Sequence, residues 1–297
     1  MSGVDINRGS SNFVLPADIY EEIWSKAKYE SAVMQLSRRI ELPGRGLEIQ
    51  TITGDPIAEW VAETDAKPIS NPTLGKKTMK AYKLAYIDLI SEEALRDKRA
   101  LYDWMIEYGP SQIAKAFDTT VFNGTAPGTG FDDLSGADTV ALGEGYNVYQ
   151  QLVAAKGAVA AAGGSLNGFV FDANGETTLL SAVDGIGRPL FSYNEAGAGP
   201  ILGARVLLRE TAGESGTPNI IGIGGDWSKT RYGIVGDIAI TPSREATLVD
   251  GEGNVFSTFQ HNMVAIRVEA ELGFIAEDDA YFVRFTDEAA PEPEPGD

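Results

Sequence analysis

Asn262-Met263-Val264-Ala265-Ile266-Arg267-Val268-Glu269-Ala270-Glu271-Leu272-Gly273-Phe274 is the stretch that decides the fold, because it reads as one long strand. Just upstream stands Gly224-Gly225-Asp226-Trp227-Ser228, a tight turn. Tyr232-Gly233-Ile234-Val235 and Asp237-Ile238-Ala239-Ile240 follow it as a paired strand. Downstream, Asp279-Ala280-Tyr281-Phe282-Val283-Arg284-Phe285 closes the block. Each piece is weak alone. Their order and spacing together are hard to obtain otherwise.

Composition narrows the function classes. With 297 residues, 43% of them hydrophobic, the chain can bury a substantial core in one large domain or two smaller ones. No cysteine is present, which excludes disulfides, thiolate metal sites and cysteine nucleophiles. His261 is the single histidine, so any mechanism or metal site that needs two imidazoles is excluded as well. Residues Met1 to Ser11 are polar and lack the apolar run of a signal peptide, and no stretch is long and apolar enough to span a bilayer. A soluble protein made in a cytoplasm, with no membrane partner, is expected. The formal net charge of −19 repels nucleic acid at long range, which argues against sequence-specific DNA or RNA binding.

The chain divides by its periodicities. Leu15-Pro16-Ala17-Asp18 opens a helical stretch with Ile19, Ile23, Trp24 and Ala27 at helical spacing. Val33, Met34, Leu36 and Ile40 form a second short stretch, ended by Pro43-Gly44-Arg45-Gly46. Neither buries much alone, so residues 1–46 read as an arm that docks elsewhere. From Leu47 the period is two, and 47–90 read as a long hairpin with a polar tip from Thr64 to Gly75 and a return strand from Lys76 to Leu89. An isolated hairpin is only marginally stable in water, so this one needs partners. Ser91 is placed to cap the next helix, whose apolar stripe runs from Leu95 to Val121 and Phe122. Pro110 inside it predicts a kink or a split. Gly145 to Ile240 read as an α/β unit: a helix from Tyr149 to Ala162, a strand at Phe169–Asp172, a helix from Glu176 to Val183, and strands at Ala204–Leu208 and Asn219–Gly224. The predicted domains are therefore 91–144 with 241–286, the discontinuous one, and 145–240, followed by an acidic, disordered tail over 287–297.

Several stretches invite sharper readings. Gly197-Ala198-Gly199 and Gly222-Ile223-Gly224-Gly225 hint at nucleotide loops, but Leu202 and Trp227 stand where the third glycine is needed. Asp250-Gly251-Glu252-Gly253-Asn254 has the oxygen spacing of a calcium loop; a hairpin turn accounts for it better. Lys76, Lys77, Lys80 and Lys83 alternate between strand faces and suit a solvated hairpin paired with acidic neighbours. His261 has no GxSxG elbow to serve and reads as a residue at the opening of the long strand. No catalytic site, cofactor or metal is expected.

The ordered block resembles the C-terminal half of the major capsid protein of tailed bacteriophages. There the pattern is a GDxS turn, a paired strand, and an N…R…E…G strand ending in DxAxF. The resemblance extends to Trp60-Val61-Ala62-Glu63 before the Lys67-Pro68 tip, to Leu84 through Asp97, and to Asp118 with Phe122-Asn123-Gly124. Asp184 with Gly187-Arg188-Pro189-Leu190-Phe191 also fits. It covers about Pro16 to Phe285 and implies the α+β fold of the Hong Kong 97-type capsid. That fold has an N-terminal arm, an extended β-hairpin loop, a peripheral domain with a spine helix, and an axial α/β domain. The implied function is structural: hexamers and pentamers of an icosahedral shell around double-stranded DNA, in a virion assembled in the bacterial cytoplasm. The implied partners are other copies of the chain, a separate scaffolding protein, a portal and cement proteins. With so few residues before the hairpin, no scaffolding domain is expected to be fused. Trp24, Trp60 and Tyr82 are the candidate assembly residues. In some capsid proteins of this family a loop lysine bonds to an asparagine of another subunit with a glutamate's help, and Lys67, Asn262 and Glu269 occupy those places. Two rivals are an encapsulin-type nanocompartment shell, which shares the fold, and an acidic α/β enzyme.

Overall fold

Alternation fixes the largest element. In a computed structural model of the chain, Val264, Ile266, Val268, Ala270, Leu272 and Phe274 are buried on one face, and Arg267, Glu269 and Glu271 turn the other way. The described residues are 27, 30–52, 60–61, 67, 74–91, 93, 98–145, 147–191, 193–194, 197–236, 238–249 and 251–289. The helical reading from Leu15 through Trp24, most of the hairpin tip and the tail beyond residue 289 lie outside them.

The helices are α1 (Ala32–Leu36), α2 (Lys98–Phe122), α3 (Val148–Ala161) and α4 (Ala173–Ser181). The strands begin with β1 (Arg38–Glu41), β2 (Leu47–Ile52), β3 (Leu74–Met79), β4 (Tyr82–Ser91), β5 (Asp138–Ala141) and β6 (Gly168–Phe171). Next come β7 (Tyr193–Asn194), β8 (Gly197–Ala198), β9 (Arg205–Leu208), β10 (Ile220–Gly225) and β11 (Thr230–Ile234). The last are β12 (Ala239–Ser243), β13 (Thr247–Val249), β14 (Val255–Ser257), β15 (Met263–Ala276) and β16 (Phe282–Thr286).

Two five-stranded sheets result. In the first, β1, β11, β15 and β12 lie in that order and β4 pairs along β15. In the second the order is β5-β16-β10-β6-β9. The inner face of the first sheet packs on α2, where Phe117 meets Phe131 and Phe274 edge-on at 6.2 and 6.4 Å. The second sheet carries a separate core of Phe169, Phe171 and Phe285 against Leu152, Ala155 and Val159 of α3 and Leu179 of α4. The α+β class follows the expectation, and four details differ.

First, the hairpin is shorter than 47–90. β2 and β3 pair from Leu47↔Met79 to Ile52↔Leu74, and the return strand then breaks at Lys80-Ala81. The Lys80 N–H bonds Gly130 O at 2.7 Å, which bends the chain so that β4 leaves the ribbon and pairs with β15. Second, the return strand runs on past Leu89, since β4 reaches Ser91 opposite Met263; the residues that Ser91 was expected to cap lie outside the described ones, and α2 is described from Lys98. Third, α2 is not split: its 25 residues run through Pro110. The preceding Gly109 leaves room for the Tyr86 hydroxyl, which a Cβ would meet at 2.9 Å. Fourth, β11 and β12 join the first sheet while β5 and β16 join the second, so the boundaries at 144, 145 and 240 do not separate the layers. Pairing partners distant in sequence decide this, and local periodicity does not report them.

The ribbon is seated on the outer face of the first sheet. Met79, Leu42, Ile49 and Ile275 form a small core there, directly over the cross-strand pair Gly233↔Gly273. A Cβ at Gly273 would meet the Lys80 carbonyl at 2.8 Å, and one at Gly233 would meet Met79 Sδ at 2.9 Å. The paired glycines thus make the seat. Gly273→Val is expected to lower the unfolding free energy by roughly 1–3 kcal/mol. It should also raise amide exchange at Met79 and Lys80, both readable by denaturant titration and hydrogen exchange.

Candidate assembly surface

The ribbon is fixed at its root. At the root, Lys77 Nζ donates to Asp132 Oδ2 at 3.0 Å and to Ala276 O at 2.7 Å, tying β3 to the end of β15. The pairing with an acidic neighbour follows the expectation from sequence, whereas the half-buried bond to the Ala276 carbonyl does not. Lys76 does follow the expectation: it pairs with Glu48 across the ribbon at 3.6 Å, with both side chains largely in solvent, where such pairs contribute little. Between β2 and β3 in sequence, Trp60 is wholly exposed and Val61 is exposed too. Lys67 is also exposed. Trp24 lies outside the described residues. Tyr82 is engaged within its own chain: its hydroxyl donates to Thr129 O at 2.8 Å and its ring meets Phe131 edge-on at 6.3 Å.

Asn262 immediately precedes β15, and Glu269 lies at the middle of that strand. Asn262 is exposed and adopts the left-handed conformation, with φ 50° and ψ 46°, which asparagine tolerates better than most residues. The pairing of β15 with β4 runs unbroken from Met263↔Ser91 to Leu272↔Tyr82. No bulge brings the two side chains together, and they stand roughly 20 Å apart. Glu269 instead lies between Arg267 and Lys83, with contacts of 3.5 and 3.9 Å. His261 stacks on Phe256 at 4.4 Å, and its Nδ1 lies 2.9 Å from Ser257 O.

Other readings find physical explanations. Gly222 and Gly224 lie within β10, where a Cβ would strike the rings of Phe171 at 2.3 Å and Phe169 at 2.6 Å; the glycines admit aromatic rings. Residues 251–254 turn the β13–β14 hairpin, whose Val249 and Val255, with the nearby Phe259, are exposed.

The turn that sets the two sheets against each other is Gly224–Ser228. Asp226, only 4% exposed, accepts bonds from Ser165 N (2.7 Å), Asn167 Nδ2 (2.9 Å), Ser228 Oγ (2.6 Å) and Ser228 N (3.1 Å). Trp227 beside it is buried, donates from Nε1 to Gly168 O at 3.1 Å, and meets Phe122 and Phe282 edge-on. The return crossing at Asp278–Phe282 runs alongside, held by Asp226 N to Tyr281 O at 3.0 Å and by Lys229 to Glu277 at 3.0 Å.

This architecture has known counterparts. Residues 11–287 match the profile of the Phage capsid family. The chain belongs to the phage capsid family. It is 31% identical over 290 residues to "Probable major capsid protein gp17" of Mycobacterium phage L5, covering 92% of this chain and 89% of that one. To the protein of the same description in Mycobacterium phage D29 it is 31% identical over 283 residues, covering 90% and 87%. Among solved structures, a chain of Gordonia phage Cozz superposes with a TM-score of 0.68 at 25% identity, covering 89% of this chain and 87% of that one. A chain described as "Capsid of native GTA particle computed with C5 symmetry" shares the fold at a TM-score of 0.64 and 16% identity, with coverages of 98% and 99%. Matches to phage capsid proteins favour the virion reading over the nanocompartment and the acidic enzyme.

In this phage capsid fold, sequence reading missed two working side chains. Lys77 had no signal beyond its alternation. Asp118 did have one, since it lies four residues after Ala114 and four before Phe122, both buried on α2. For the Gly224–Ser228 turn, Asp226→Ala would remove the buried carboxylate that holds Ser165, Asn167 and Ser228 together. A loss of roughly 2–3 kcal/mol in unfolding free energy is expected, measurable by denaturant titration.

Proposed function

We propose that this chain is the repeating subunit of an icosahedral phage shell, joining copies of itself into hexamers and pentamers around double-stranded DNA. The observation that carries the reading is Trp60. It is wholly exposed, in the segment of chain between β2 and β3, and the ribbon those strands form is held by the glycine seat and the Lys77 strut. A large exposed aromatic in a segment anchored at both ends suits a contact with another copy, since tryptophan dominates buried interface energetics. The net charge of −19 suits a wall that encloses DNA without gripping its sequence. A separate scaffolding protein, a portal and cement proteins are the further partners of this reading, with assembly in the bacterial cytoplasm. Trp60→Ser is expected to leave a folded, soluble subunit that forms few or no closed particles by electron microscopy. Wild-type yields of normal shells would remove the ribbon from this role.

A covalent extension of the proposal joins Lys67 of one copy to Asn262 of another. The neutral Lys67 amine attacks the Asn262 side-chain carbonyl, an amide bond forms, and ammonia leaves. A glutamate takes the amine's proton and returns it to the departing nitrogen. Glu269 fits that task only from a copy other than the one that supplies Asn262, given their separation along β15. That glutamate would come from the copy that supplies Lys67 or from a third copy. Denaturing electrophoresis of mature particles should show ladders that vanish in Lys67→Ala, Asn262→Ala or Glu269→Ala, with about 17 Da lost per link. A lone monomer band from mature shells would overturn the bond.

A further inference from the structure

We propose that the turn at residues 184–188 of one copy docks into the groove beside the end of α4 on a second copy, a contact that rests on the shell reading above. The turn is a rigid knob. Asp184 Oδ1 accepts from Ile186 N at 2.9 Å and from Arg188 N at 2.8 Å. Asp184 N donates to Arg188 O at 2.8 Å, and Gly187 N donates to Asp184 O at 3.0 Å. Val183 and Pro189 bridge its base. A tip bonded within itself in this way needs little ordering when it binds, which removes a usual cost of association. Ile186 stands at that tip, 73% exposed.

The groove adjoins this knob but is not filled by it. It encloses about 630 Å³, with Leu142 and Val148, between β5 and α3, on one wall and Ala182, Val183 and Leu190, after α4, on the other. That is more room than one aliphatic side chain takes, and it suits the tip of a turn. Knob and groove are different surfaces of one chain, so their contact runs head to tail and closes into a ring or continues as a filament. Charge selects a second copy as the occupant. At a net charge of −19, two copies repel each other unless their contact pairs opposite charges locally. Arg188 flanks Ile186 on the turn, and Glu144 stands at the lip of the groove. Both are exposed, and neither forms an ion pair with a described residue. Docking sets Ile186 against the apolar walls and pairs Arg188 of one copy with Glu144 of the other.

Yields of closed particles from the full chain, counted by electron microscopy, test the contact. Ile186→Asp, Arg188→Glu and Glu144→Lys should each cut the yield roughly tenfold, and Arg188→Glu combined with Glu144→Lys should recover most of it. All three positions are exposed, so the subunit itself stays folded. Normal yields from Ile186→Asp, or a double variant no better than its parents, would overturn the contact. The groove would then belong to another occupant, such as the chain beyond Ala289, which leaves past Gly143, where Gly143 N donates to Glu288 O at 3.2 Å. Hydrogen exchange of the wild-type chain needs no variant. The amides of Gly143, Gly145, Val148 and Ala182 to Arg188 should exchange roughly tenfold more slowly in particles than in free subunits, and equal rates refute the docking. A wild-type chain that forms no particles removes the shell reading and this contact with it, whereas wild-type shells indifferent to these changes remove the contact alone.

Discussion

β15 is the constraint on which the rest of the molecule depends. Along its fourteen residues it pairs with β4 on one side and with β12 and then β11 on the other, so its backbone donors and acceptors are committed to three partners. A slip of one residue would turn Val264, Ile266, Val268, Leu272 and Phe274 out to water and bury Arg267, Glu269 and Glu271. Burying a single large apolar side chain is worth about 1.5–3 kcal/mol, so the register is held by a penalty far larger than any surface pair supplies. The glycine seat under the ribbon depends on the same register, because Gly273 faces Gly233 only in this pairing.

The two sheets share no strand, yet they do not hinge freely. The chain crosses between them at Asp226–Lys229 and again at Glu277–Tyr281, and the two crossings bond directly to each other. Trp227 fills the space between them, in contact with the end of α2 through Phe122 and with β16 through Phe282. A shell subunit transmits load between its neighbours through such joints. Doubling the crossing and satisfying its polar groups internally makes the joint stiff in a way that apolar packing alone would not.

Contrast between root and reach is the functional theme. The elements near the cores are tied down by buried contacts: the ribbon root by Met79 and Lys77, the segment before β1 by Asp118. The surface of the described residues carries exposed apolar groups, including Trp60, Val249, Val255 and Phe259. For an isolated enzyme these would be unexplained. For a subunit of the phage capsid family they are the expected condition of a chain whose final burial happens between copies.

Much of this was legible in the sequence where the signal is local. The long strand at Met263, the turn at Gly224–Ser228, the buried strand at Phe169 and the helix stopped by Gly163 are written in periodicity and in residues with special backbone needs. Their order was enough to point to the family. What the tertiary structure alone decided are matters of pairing between distant segments. The return strand leaves the ribbon at Lys80 because Gly130, fifty residues on, takes its N–H. β5 and β16 join a sheet different from the one expected, because strand partners are chosen by contacts that no window of sequence contains. Asp118 follows the same logic: its position on a buried helical face was visible. Its role was not, because the groups that hold it belong to Ser31, Ala32 and Val33, which approach it only once the chain has folded.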